Sequence, residues 1–347
     1  MKIIYVGELD TTPDRDSSWI NAFRMLNNEV IGFPTAPYKT SKKTIISKIF
    51  LRLNIGIWNK RLQNDLIYLA KLFKPDLIHF RLPVEFNRKT IKLLRSMNIV
   101  VTEFFNDDPF SEKMPIFHYH KFRNALSAFD GHFVWRKKNI QEFMDAGAKF
   151  LYHSLPCYDP EWFPNSKEIQ LLEPKNFSND VCYIGHWEDD YRVECLEALL
   201  KNGFSVCLKG GMWNEQIKNS ALRKLVPVEH AFRDDLVEIY RNSCIGLCFF
   251  SKKNNDTWTK RPLEIIASGG VLVCERNKES ITYFKDKEEA FFFSSIEELV
   301  KIVKLLTSNS TLRSKIQKAG YTRLLKDNHT FLNRASKVLE FVNQQNV

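Results

Sequence analysis

The chain has 347 residues, 44% of them hydrophobic and 27% charged, with a formal net charge of +10. That composition suits a globular protein of about two domains, and the lack of any run of about 18 apolar residues excludes a membrane-spanning segment. Seven scattered cysteines with no CxxC pair exclude a disulfide framework or a repeated zinc pattern and point to reduced thiols in a cytosolic protein.

The first half alternates apolar runs with helical stretches. KIIYV (2–6) reads as a buried strand ending at a glycine rather than as a leader peptide. A helix capped near Asp16 or Ser17 carries Trp19, Ala22, Phe23 and Leu26, and EVIGF (29–33) is the next strand. A helix over 64–73 stops at Pro75-Asp76, DLIHF (76–80) is a strand, 90–97 is helical and NIVVTEFF (98–105) is a strand again. FDGHFVW (129–135) is a fifth strand, followed by a helix ending at Gly147 and a proline-rich stretch.

A polar segment then separates this series from a second one. DVCYIG (180–185), FSVCLKG (204–210), CIGLCFF (244–250), GVLVCE (270–275) and AFFFSS (290–295) read as strands. Helices lie between them, and the last stretch is mostly helical, with Ser295 and Glu298 at capping-box spacing. Two β/α series predict two doubly wound, Rossmann-like α/β domains whose strand ends face a cleft. The expected boundaries are 1–165 for the first domain, 166–179 for a linker and 180–330 for the second domain. Residues 331–347 are expected to form a helix packing back on the first domain.

The stretch TKRPLEIIASGGVLVCERN (259–277) concentrates the chemistry. Pro262 suits the first turn of a helix, whose free N–H groups attract anions. Lys260 and Arg261 stand just ahead of it, a pair suited to a diphosphate. Glu264 could accept hydrogen bonds from the vicinal hydroxyls of a ribose. Gly269-Gly270 allow a sharp turn into the next strand. The same pattern also describes a capped helix, a glycine stop and a buried strand with no ligand at all.

TWTKRPLEIIASGGVLVCE resembles the donor-binding segment of GT-B-fold glycosyltransferases, and is most similar to the group related to spore-maturation-protein glycosyltransferases. The resemblance extends through DVCYIGHWEDDYRVECLEALLKNGFSVCLKGGMW and EIYRNSCIGLCFF to the His329-Thr330-Phe331…Arg334 signature. FFNDDPF and FDGHFVW in the first half match weakly but in order. The resemblance implies a glycosyltransferase that moves a sugar from a nucleotide-diphosphate sugar to a hydroxyl acceptor, such as a cell-surface glycan or lipid-linked precursor. It implies no metal or other cofactor, since the nucleotide sugar is a substrate. It places Gly185 beside the donor and Arg192 near the phosphates or in a salt bridge. Lys260 and Arg261 fall on the diphosphate-binding basics and Glu264 on the ribose-binding carboxylate. Retaining members of the wider superfamily carry a Glu-x7-Glu pair. Here Asp256 takes the first position, which leaves retaining or inverting chemistry open.

Asn106-Asp107-Asp108-Pro109 follows a strand, so its carboxylates belong at the strand's ligand-binding end. Asp107 or Asp108 could take the acceptor's proton in an inverting transfer, although Asp before Pro is more commonly a turn former. Gly7-Glu8 could border the acceptor site. His118-x-His120 and His79 lack a third ligand at recognisable metal spacing. Positive charge is concentrated in the first half, with seven basic residues and no acid between Val30 and Asn64. Residues 39–61 could attract an anionic membrane from the cytoplasmic side, although helix packing with a solvated basic face is the preferred reading. Two other functions remain in play: a sugar-nucleotide epimerase of the same architecture, and a non-catalytic basic binding protein. Nucleic-acid binding is disfavoured by the lack of a recognisable motif.

Overall fold

The computed structural model describes residues 1–9, 16–39, 45–115, 117–164, 177–218 and 220–345. Most of the expected linker, and Lys42 and Lys43 of the basic stretch, lie outside these residues. The chain divides into two units: one comprises 1–156, 253–255 and 330–347, the other 157–252 and 256–329.

The first unit is a six-stranded parallel sheet. Its strands are β1 (Lys2–Gly7), β2 (Glu29–Pro34), β3 (Leu77–Arg81), β4 (Val100–Phe105), β5 (Gly131–Val134) and β6 (Leu151–His153). They lie in the order β2-β1-β3-β4-β5-β6. The helices are α1 (Ser17–Met25), α2 (Ile45–Arg52), α3 (Ile57–Phe73), α4 (Arg88–Arg95), α5 (His120–Ala125) and α6 (Lys137–Asp145). Parallel strands covered on both faces read as near-continuous apolar runs. Alternation along each strand then divides those side chains between two cores. Ile4, Val6, Ile78 and Phe105 pack with Leu62 and Leu66 of α3, Ile91 of α4 and Phe122 of α5. Ile3, Tyr5, Phe104 and Phe133 pack instead with Trp19 and Phe23 of α1 and with Val338 and Phe341 of the C-terminal helix. A Cβ on Gly131 would stand 2.7 Å from the Phe341 ring, so the bare backbone of β5 is what lets that ring lie against the sheet.

The basic stretch is not one helix. A short 3₁₀ turn covers Ala36–Lys39. α2 ends at Arg52, and α3 begins seven residues before the expected start at 64, after Asn54 and Gly56 take positive φ of 53° and 107°. The sixth strand, three residues long, is too short to show a period.

The second unit is a five-stranded parallel sheet of β7 (Asn179–Ile184), β8 (Val206–Lys209), β9 (Ser243–Cys248), β10 (Leu272–Glu275) and β11 (Phe291–Phe293). Its helices are α7 (Arg192–Lys201), α8 (Trp213–Gln216), α9 (Asp234–Arg241), α10 (Arg261–Ala267), α11 (Ser280–Tyr283), α12 (Ile296–Ser308) and α13 (Ser310–Asp327). The C-terminal helix that packs in the first unit is α14 (Phe331–Gln345). The order β11-β10-β9-β7-β8 reverses direction between β7 and β9. α7 and α12 cover one face, while α9, α10 and α13 cover the other. Ser295 Oγ accepts from the Glu298 N–H at 3.2 Å and caps α12. Among the described residues, no helix is long and apolar enough to cross a membrane.

Candidate active site

In a doubly wound sheet, ligands bind beyond the carboxyl ends of the strands at the point where strand order reverses. In the second unit that point lies between the ends of β7 and β9, and Arg261 occupies it. Its Nε donates to the Ile184 carbonyl at 2.7 Å and its Nη1 to the Phe249 carbonyl at 3.1 Å. The guanidinium lies 5.5 Å from the Tyr183 ring centroid. Burial opposes its charge, but the neighbouring Tyr183, Cys248, Tyr240 and Glu264 side chains outweigh that and hold the guanidinium above its ordinary pKa.

Gly185 leaves room for this arrangement. A Cβ there would fall 2.4 Å from the Tyr183 hydroxyl and 2.9 Å from Arg261 Nη2. The Gly185 N–H donates to the Lys209 carbonyl at 2.9 Å, and its own carbonyl accepts from Trp213 Nε1 at 2.8 Å. Gly210, at φ 132°, presses its backbone against the Gly185 carbonyl so closely that a Cβ would lie 2.0 Å away. The two glycine turns after β7 and β8 therefore share one backbone-lined edge. Arg192, buried, forms a two-pronged pair with Asp190: Nε to Oδ1 and Nη2 to Oδ2, each 2.7 Å. Its Nη1 donates to the Tyr183 hydroxyl at 3.1 Å and to the His186 carbonyl at 2.9 Å. Of the two roles expected for Arg192, the geometry gives it the salt bridge, which braces Tyr183 and the turn after Gly185.

Lys260 precedes α10 and is exposed, while Glu264 is largely buried one turn on; Lys260 Nζ lies 2.7 Å from Glu264 Oε1. Lys260, Arg261 and Glu264 thus come together as the sequence suggests. Gly269 does not join them. It sits at the opposite end of α10 at φ 81°, where its N–H donates to the Ile266 carbonyl at 2.9 Å and the Gly270 N–H to the Ile265 carbonyl at 2.9 Å. That is a glycine stop, and its part is to end the helix. Asp256 closes a turn through its N–H to the Ser251 carbonyl at 2.9 Å.

In the first unit, Asp107 and Asp108 follow β4 but differ sharply. Asp108 is buried; its Oδ1 accepts from Asn139 Nδ2 at 2.7 Å and from the Phe110 N–H at 3.0 Å. Its Oδ2 accepts from Asn255 Nδ2 at 2.8 Å and from Lys138 Nζ at 3.2 Å. Burial works to raise this carboxyl, but those hydrogen bonds and the Lys138 charge hold it below the ordinary carboxylate range. Asp108 is therefore a saturated turn former. Asp107 is partly exposed and makes two longer contacts, from the Tyr119 hydroxyl and from Asn254 Nδ2, each 3.1 Å. Glu8 lies at the end of β1 near Arg81 (3.8 Å) and Lys39 (3.9 Å). The histidines of the weak metal pattern are separated by environment: His79 is inside the sheet, whereas His118 is exposed. Among the described residues, no group of three or more His, Cys, Asp or Glu could hold a metal.

Sequence reasoning missed Tyr183, Asp190 and the pairing of the two glycine turns. It also missed an aromatic group beside them: His230 stacks on Phe232 at 5.4 Å and meets His186 edge-on at 6.2 Å. The doublet Gly210-Gly211 after a strand was the available signal, since a close backbone approach is one reason for glycine there.

The family described as glycosyl transferase-like matches residues 192–340. No curated protein matches the chain. Among solved structures, HepE from Anabaena in complex with UDP and glucose superposes with a TM-score of 0.68 at 12% identity, over 99% of this chain and 100% of that one. Sucrose-phosphate synthase from Thermosynechococcus elongatus gives 0.68 at 11% identity, over 99% of each chain. A protein provisionally assigned as a UDP-N-acetylglucosamine 2-epimerase from Listeria monocytogenes gives 0.60 at 11%, over 99% and 96%. At such identities the structural likeness is one of fold. The family match starts at the Asp190-paired arginine and runs through the Lys260–Glu264 segment: over residues 192–340 the chain is similar to the glycosyl transferase-like family, and its two parallel sheets are those of the GT-B fold.

Proposed function

We propose that the protein transfers a sugar from a nucleotide-diphosphate sugar to a hydroxyl of a cell-surface glycan or lipid-linked precursor, with the donor held at the carboxyl edge of the second sheet. The observation that carries this reading is Arg261, fixed by two strand-end carbonyls at the reversal of strand order, with Lys260 and Glu264 one turn away. Nη2 of Arg261 and the Lys260 ammonium meet the diphosphate. Glu264 exchanges its Lys260 contact for the ribose hydroxyls. The cations stabilise the charge that grows on the leaving diphosphate, so no metal is assigned a step. His230 and Phe232 offer a face for the base.

In the first unit Asp107 is the proposed general base, because Asp108 has no oxygen left to accept a proton. A base that takes the acceptor's proton serves an inverting displacement. The epimerase fold likeness supports a second reading, and products separate the two, since an epimerase needs no acceptor. With donor and acceptor supplied, Asp107→Asn should cut turnover by about 10²-fold or more while donor affinity stays near wild type. Full turnover in that variant, or an isomerised nucleotide sugar formed without acceptor, would overturn the proposal.

A further inference from the structure

The turn joining α2 to α3 presents apolar side chains outward. Ile57 is 87% exposed, Ile49 48%, Phe50 44% and Ile55 37%. The positive-φ positions Asn54 and Gly56 separate α2 from α3, and Ile55 and Ile57 beside them are exposed. The turn is nonetheless well tied. The Ile55 N–H donates to the Phe50 carbonyl at 3.0 Å, and Lys121 Nζ from α5 donates to the Asn54 carbonyl and to Asn59 Oδ1, the latter at 2.7 Å. An exposed apolar knuckle is thus held in one shape.

The charges around it are predominantly positive. Lys48, Arg52 and Lys60 are exposed and make no ion pair among the described residues. Arg61 is matched by Asp65 at 3.6 Å. No acid occurs from Val30 to Asn64. A second copy of this chain would bring the same cations face to face and be repelled. A surface of anionic headgroups over an apolar interior fits both features, with cations at the phosphates and the Ile and Phe tips at the acyl boundary. We infer that the α2–α3 knuckle docks the first unit onto anionic lipid. The inference does not depend on the donor site or on catalysis.

The test is co-sedimentation of the full chain with phosphatidylcholine vesicles, with and without phosphatidylglycerol, across a salt series. The protein should bind only the vesicles containing phosphatidylglycerol and be released as salt rises. Arg52→Ala should weaken binding roughly fivefold and flatten the salt dependence. Ile57→Ser should weaken it while leaving the salt dependence in place. Both variants should melt like wild type, because both side chains are exposed. Equal binding to neutral vesicles, binding to neither, or wild-type binding by both variants would overturn the inference. So would a concentration-dependent dimer that Ile57→Ser dissolves without any vesicle binding.

Discussion

Arg261, proposed to hold the donor, also serves the fold. Two of its donors hold strand-end carbonyls, so removing the side chain would unsettle β7 and β9 as well as any donor. Gly185 is the cleaner probe. A methyl group there must displace the Tyr183 hydroxyl or Arg261 Nη2, at 2.4 and 2.9 Å, and overpacking of that kind costs about 1–3 kcal/mol. Gly185→Ala should lower stability in urea unfolding by that amount and weaken nucleotide binding. Wild-type values for both would mean the turn has more room than the structure gives it. Lys260, Arg261 and Glu264 stand out by residue type beside a helix start, whereas Gly185 is named only through the family resemblance. The sequence could not show that Arg192 is consumed by Asp190, or that Asp108 rather than Asp107 has its oxygens filled, because those outcomes depend on partners such as Asn139 and Asn255 that are far away in sequence.

At the scale of elements, the strands were legible because parallel strands buried on both faces leave unbroken apolar runs such as KIIYV and CIGLCFF. Helix starts were less so: α3 begins on Gly56 at a positive φ with no side-chain cap, which leaves no capping residue to read. The strands also bury polar groups that the alternation hides. His79 on β3 sits among Tyr5, Trp19, Phe23 and Phe133, its Nδ1 2.8 Å from Thr102 Oγ1. Burial pushes its pKa down to about 3, and His132 on β5 is pushed down to about 3 as well. The unfolded chain takes up a proton on each near the ordinary value of about 6.5, while the folded chain does not. Their stabilising contribution is therefore complete above that value and lost as pH falls toward 3. Glu103, bonded to His132 at 2.7 Å and kept protonated by burial, works in the opposite direction above the ordinary carboxylate range. His79→Phe should reduce the slope of stability against pH between about 5 and 6 by roughly 1 kcal/mol per pH unit. Urea melts at those pH values would show it, and an unchanged slope would mean that His79 is protonated in the folded chain.

For the molecule as a whole, the two β/α series announced two sheets. The return of the C-terminal helix to the first domain is among the sequence expectations, whereas nothing in the sequence marks 253–255 as part of that unit. Residues 330–347 follow the second series in sequence but pack with the first unit, through Phe341 on Phe150 at 4.1 Å and Arg334 Nε to the Leu155 carbonyl at 2.8 Å. The tripeptide 253–255, inside the second series, also belongs to the first unit. The central claim is that Lys260, Arg261 and Glu264 at the reversal of the second sheet bind a nucleoside diphosphate. Its direct test is calorimetric titration of the wild-type chain and of Lys260→Ala and Glu264→Gln with UDP, GDP and dTDP. The account predicts that at least one nucleotide binds wild type and binds each variant about tenfold or more weakly, a loss of about 1.4 kcal/mol. Binding of none of them to wild type, or wild-type affinity in both variants, would contradict it.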